Sequence, residues 1–195
     1  MSDGNPYSAR EFFEEHVSIC RQIVQKFGTT SVDLQEISAS LFTLGGIEMS
    51  NGDTETARAL HEENLTISRQ IVDEFGATEQ GLSDVCVALN AVGDCANQEG
   101  NLETARALFG EMLSIVQQIV NEYGENADNL RVYSIALSRV GDVELRDGNH
   151  ATARKRIKKS LAISQRIVAK FGAEPQNLQD IAYITEQLRL LDDEL

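Results

Sequence analysis

Residues Gly100–Tyr123 read GNLETARALFGEMLSIVQQIVNEY, and the phrase returns every 48 residues in both directions. GDTETARALHEENLTISRQIVDEF begins at Gly52, GNHATARKRIKKSLAISQRIVAKF at Gly148, and GNPYSAREFFEEHVSICRQIVQKF at Gly4. Self-similarity at a fixed period of this size is the mark of a repeat array, in which each unit hides its apolar face against its neighbours. The units run 4–51, 52–99, 100–147 and 148–195, so one repeat domain fills the 195 residues and leaves no room for a separate catalytic domain.

Each unit has the same grammar. A glycine opens it, and a long helix, type B, follows. In the third copy the apolar positions are Ala105, Leu108, Phe109, Met112, Leu113, Val116, Ile119, Val120 and Tyr123. That i, i+3, i+4, i+7 spacing draws one stripe along an amphipathic helix. Pro6 falls in the first turn of the first copy, where its missing N–H is harmless. Gly28, Gly76, Gly124 and Gly172 stop the B helices, and the expected stop is the left-handed cap that glycine adopts at little cost. Thr30, Thr78 and Asn126 are placed to cap the next helix, type A, and Pro175 to occupy its first position in the last copy.

Type A helices carry a leucine near the start (Leu34, Leu82, Leu130, Leu178) and a glycine in the middle (Gly45, Gly93, Gly141). A mid-helix glycine costs about 1 kcal/mol against alanine. Its return at one place in three copies predicts close approach of the partner helix. The fourth copy has Arg189 there, which predicts an exposed end to the last helix. The order B, A, B, A, B, A, B, A gives eight helices on short links, an all-α stack of antiparallel hairpins.

Within VALNAVGDCANQEGNLETARALFGEMLSI, small residues at Gly93, Ala96 and Ala105, Gly100 at the turn, and Leu102, Phe109 and Met112-Leu113 on the B helix resemble the tetratricopeptide repeat. The phrasing is most similar to the extended, kinesin-light-chain-like subgroup. The period is longer than the family's usual one, and the place of Phe109 is taken by His61 and Ile157 in neighbouring copies. The resemblance implies a right-handed α-solenoid whose A helices line a concave groove that holds a peptide or helix. It also implies an interaction scaffold or adaptor rather than an enzyme, or the ligand-sensing module of a larger signalling protein. Carried over by position, the groove residues are Phe42 and Met49 in the first copy, and Val87, Asn90, Asp94 and Asn97 in the second. The third supplies Asp142 and Arg146, and the last Tyr183, Glu186, Leu190, Asp193 and Glu194. The groove is mixed in character, with Arg146 as its one base. That composition predicts a protein or peptide partner with apolar anchors and some basic character, its backbone held by asparagine amides.

The formal charge of −14 argues against general attraction to nucleic acid or anionic membrane. Cys20, Cys86 and Cys95 are odd in number and do not follow the period, so they are expected as free, buried thiols in a reducing, cytoplasmic compartment. The polar N-terminus has no signal-peptide pattern, and no stretch is apolar for long enough to span a bilayer. No histidine, cysteine or carboxylate set has metal-ligand spacing, and no catalytic or cofactor motif is present, so no metal or cofactor is expected. His16 and His61 fall on or beside the core stripe and are expected to be packing residues.

Two charged patterns remain. Arg10, Arg58, Arg106 and Arg154 recur after an alanine in every copy and are expected to link helix to helix. Lys158 and Lys159 hold the register places of Glu14 and Glu15. The array opens on an unpaired B helix and closes on an unpaired A helix. If the last A helix of one molecule received the first B helix of the next, these charges would meet in a head-to-tail homo-oligomer, which closes as a ring or runs on as a fibre. The alternative is an ordinary solvated basic face.

Overall fold

A computed structural model describes the backbone over residues 6–193 and side chains over residues 9–191, so Gly4 lies outside the described residues. It contains eight α-helices and no strand among them. These are α1 (Pro6–Phe27), α2 (Ser31–Asn51), α3 (Thr54–Phe75), α4 (Glu79–Gln98), α5 (Leu102–Tyr123), α6 (Ala127–Arg146), α7 (His150–Phe171) and α8 (Pro175–Asp193). The fold is the all-α helical repeat that the period predicts, with α1, α3, α5 and α7 as type B and α2, α4, α6 and α8 as type A. By internal contact the chain falls into two compact units, one running through Cys95 and the other starting at Ala96.

The helix ends follow from local chemistry. The hydroxyl of Thr30 accepts from the Asp33 N–H at 3.2 Å, that of Thr78 from Gly81 N–H at 3.0 Å, and the Asn126 amide oxygen from Asn129 N–H at 2.7 Å. Each satisfies one of the orphan donors of a first turn. The stops of the B helices differ from the expected left-handed cap. Gly76 has φ 97° and ψ 151°, a region essentially reserved to glycine, which sends the chain out extended instead of curling it under the helix. The left-handed cap appears at the other end of the hairpin, at Gly52 with φ 84° and ψ 7°. There Asp53 N–H reaches back to the Glu48 carbonyl at 2.9 Å, closing the end of α2.

In the first unit Val17 and Cys20 of α1 pack with Ile37, Leu41 and Leu44 of α2 and with Ile67 and Ile71 of α3. In the second, Ile157 of α7 packs with Ile184 and Leu191 of α8, while Leu130, Leu137 and Val143 of α6 are buried. Two of the recurring glycines, Gly45 and Gly141, sit at hairpin crossings. A Cβ on Gly45 would lie 2.4 Å from the His61 ring of α3, and one on Gly141 would lie 2.6 Å from Ile157 Cγ1 of α7. Arg189, at the matching place on α8, is exposed and pairs with Glu186 at 2.8 Å.

The same two crossings carry buried polar clusters. Asn64 donates to the carbonyl and hydroxyl of Ser38 at 2.7 and 2.8 Å, and Ser38 Oγ lies 3.2 Å from Ser68 Oγ. In the second unit Ser134 Oγ lies 2.8 Å from Ser160 Oγ and 2.7 Å from Ser164 Oγ. Paired in this way, buried hydroxyls escape the desolvation penalty of an unmade hydrogen bond.

Three of the post-alanine arginines join one helix to the next. Arg10 of α1 reaches the buried Glu48 of α2 at 3.0 Å. Arg106 of α5 reaches Glu144 and Asp147 at 3.1 and 2.5 Å, and Arg154 of α7 donates to the Leu191 carbonyl at 3.2 Å. Arg58 pairs along its own helix with Glu62 at 3.3 Å. All three cysteines are free and buried, and His61 is buried at the α2–α3 crossing. His16 is half-buried, its Nδ1 2.8 Å from Ser40 Oγ.

Candidate functional site

On α2 a stripe at i, i+4, i+7 runs Gln35, Ala39, Phe42. On α4 the same spacing gives Gln80, Asp84, Val87. Residues so spaced share one helix face. Together with Ser38, Asn64, Ser68 and Ile71 these side chains line a cavity of about 360 Å³ within the first unit. Its rim is apolar: Phe42 is 41 % exposed and Val87 43 %. Its depth is largely polar, since Ser38, Asn64 and Ser68 are buried there beside the apolar Ile71.

The cavity wall holds a charge. Asp84 is half-buried and accepts a hydrogen bond from Gln80 Nε2 at 2.8 Å. Burial pushes its carboxyl above the usual aspartate range, and the Gln80 bond opposes that rise. No base is among the groups acting on it, and no other residue lining the cavity is ionisable.

Among the sequence-predicted groove residues, the structure brings Phe42 and Val87 together around this cavity. Asn90 is half-buried further along α4 and donates to Asp94 Oδ2 at 3.2 Å. Met49 turns inward, with its sulfur 3.7 Å from Cys95 Sγ. In the second unit Asn97 accepts from Arg146, through both its backbone and its side-chain oxygens. Asp142 accepts from Gln187 Nε2 at 2.8 Å, and the same amide reaches the Tyr183 hydroxyl at 2.9 Å. Tyr183 and Leu190 are exposed, and so is Glu186 in its pair with Arg189. The Asp193 side chain and Glu194 lie outside the described residues.

The residues that sequence reading missed are Gln35, Gln80 and Asp84. A signal was present at twice the period. Gln80 and Asp84 recur as Gln176 and Asp180, and Gln35 recurs as Arg131.

The charges set in register stand apart from this face. Glu14 pairs with Arg10 at 2.9 Å. Lys159 donates to the Tyr133 hydroxyl at 2.6 Å and lies 5.0 Å over its ring. Glu15 and Lys158 are exposed. Among the described residues no group of three or more histidines, cysteines or carboxylates could hold a metal, and no helix is long and apolar enough to cross a membrane.

No known family profile matches the chain, and no curated protein sequence does. Solved structures do. The chain is similar to nearly identical TPR-like repeats assigned to a kinesin light chain in Podosopora anserina, at 15% identity over 98% of both chains, with a TM-score of 0.55. It is similar also to BtubC from P. vanneervenii, at 12% identity over 98% of this chain and 90% of that one, with a TM-score of 0.48. A de novo designed helical repeat protein matches at 17% identity over 97% of both chains, with a TM-score of 0.40. At such identities the likeness speaks for the fold, and the first match carries it.

Proposed function

We propose that this tetratricopeptide-like helical repeat protein is an interaction scaffold, and that a peptide or helix lies along the face shared by α2 and α4. The observation that supports this is the pair of exposed apolar side chains, Phe42 and Val87, flanking a cavity with a polar floor. Two exposed anchors beside a concavity are what a binding surface needs, because burying each removes apolar area from water at roughly 25 cal/mol per Å². Asn90 and Asp94 continue the same face, their side chains hydrogen-bonded to each other. The partner is a protein segment with apolar anchors and some basic character. The work is binding rather than catalysis, and three free thiols suit a reducing compartment such as the cytoplasm.

The test is selection from a displayed peptide library against the full chain, followed by affinity measurement on wild type and on Asn90→Ala with Asp94→Lys. Selected peptides should carry at least one apolar anchor. They should bind the variant at least about tenfold more weakly, with its helical circular dichroism unchanged. Equal affinity for both proteins overturns the assignment of this face.

A second reading, in which copies stack head to tail, is favoured by α1. Ile19 and Ile23 are 47 % and 39 % exposed, whereas their register partners Ile67 and Ile71 in α3 are buried. The face that α2 covers on α3 is open on α1, and the last A helix of another copy is the occupant that the register offers.

A further inference from the structure

The cavity of the first unit has an internal counterpart in the second. Asp84 of α4 and Asp180 of α8 hold the same place two repeats apart. Each accepts from the glutamine four residues before it, Gln80 at 2.8 Å and Gln176 at 3.1 Å. In the second unit the other oxygen of Asp180 is taken by Arg131 of α6, with Nε to Oδ2 at 3.1 Å. Two repeats earlier the residue in the place of Arg131 is Gln35 of α2, and Gln35 lines the cavity beside Asp84. The first unit has the carboxylate and its glutamine, but Gln35 in place of the arginine. There Gln35 and Asp84 both line the open cavity.

We propose that this cavity is a subsite for an arginine side chain presented by a partner peptide, its guanidinium paired with Asp84 and lying against the Phe42 ring. The proposal rests on the reading of the α2–α4 face as the peptide-binding face, and it names the chemistry of the basic element in the partner. A planar guanidinium can give two N–H groups to a carboxylate while its face meets an aromatic ring, which a lysine ammonium cannot do with the same geometry. Its remaining donors face a lining that includes the Gln35 side-chain amide and the Ser38 and Ser68 hydroxyls. The raised pKa of Asp84 agrees, because a half-buried carboxylate without a cation is the state that a bound cation relieves.

The experiment titrates the full chain with N-acetyl-arginine amide and, separately, with its neutral isostere N-acetyl-citrulline amide, read by amide nuclear magnetic resonance. The arginine compound should shift the Gln80 side-chain amide and the Val87 backbone amide saturably. The citrulline compound should leave both in place at the same concentration. Gln35→Arg, which restores the arrangement of the second unit, should fill the site in cis and abolish the response. Asp84→Asn should weaken it by at least about tenfold and raise the melting temperature at neutral pH, since it removes a half-buried charge. Equal responses to the two compounds overturn the proposal, as does undiminished binding by Gln35→Arg. If arginine amide fails while library peptides still bind and lose affinity in the Asn90–Asp94 variant, the subsite falls and the peptide-binding face stands. If both fail, the face falls as well.

Discussion

His61 takes the register place of Phe109 and Ile157, and its packing decides its ionisation. The ring is buried over Gly45, its centroid 5.6 Å from that of Phe42, and its Nδ1 has no hydrogen-bond partner. Burial therefore pushes its pKa below the ordinary histidine value. The sign follows. Between the lowered folded pKa and the unfolded value near about 6.5, the unfolded chain binds more protons, so stability falls as pH falls through that window. In His61→Phe, which installs the residue of the next copy, the loss of melting temperature between about pH 7 and pH 5 should be shallower than in wild type. An identical slope in both proteins would show that His61 protonates as freely folded as unfolded. The stripe made the histidine legible as a packing residue, because the core period runs through it. Asp84 was not legible in that way. The carboxylate is visible in the sequence, but only packing shows that α2 and α4 share a wall and that, among the described residues, no base lines it there.

Two adjacent glycines show how a helix face decides the effect of one methyl group. Gly45 faces α3, where an added Cβ meets the His61 ring at 2.4 Å, while at Gly46 nothing lies within 4 Å. Gly45→Ala should destabilise by about 1–3 kcal/mol, because a packed crossing must open. Gly46→Ala should stabilise by up to about 1 kcal/mol through helix propensity and the unfolded chain's lost freedom. Urea denaturation of the two variants checks the opposite signs, and a shared sign would refute the crossing geometry. The crossing glycines and the caps of α2, α4 and α6 could be read from sequence, since each depends on residues a few places away. The stops of the B helices could not. Gly76 must take positive φ, but its ψ is set by the direction the chain leaves to reach α4, which no local residue specifies.

For the molecule as a whole, head-to-tail stacking makes a prediction of its own. The first copy carries a charge of −3 and the last +2, so end-to-end contact would be drawn together at low salt and weakened as the Debye length falls below about 10 Å. Sedimentation at low ionic strength should show mass rising with concentration, and Ile23→Glu should abolish the rise. A single mass at every concentration would end that reading. Arg189 acts against it, because it stands where every other A helix with a following partner has glycine. The four-fold period was legible throughout. The division into two units was not, because every copy has the same grammar.

The seryl and asparaginyl crossings bear on how such a chain finds its pairing. Nearly equivalent helices invite the wrong partner during folding, and apolar stripes alone discriminate poorly among them. Ser38 with Asn64 and Ser68, and Ser134 with Ser160 and Ser164, are matched sets, whereas the corresponding places in the second and third copies are Cys86, Met112 and Val116. If α2 or α6 docked on α5, a serine hydroxyl would be shut in against a thioether and a methyl group. If α4 docked on α3 or α7 through the same face, hydroxyls or an amide there would lose their partners. The polar crossing within each unit thus acts as a lock and key, penalising the mispaired hairpin.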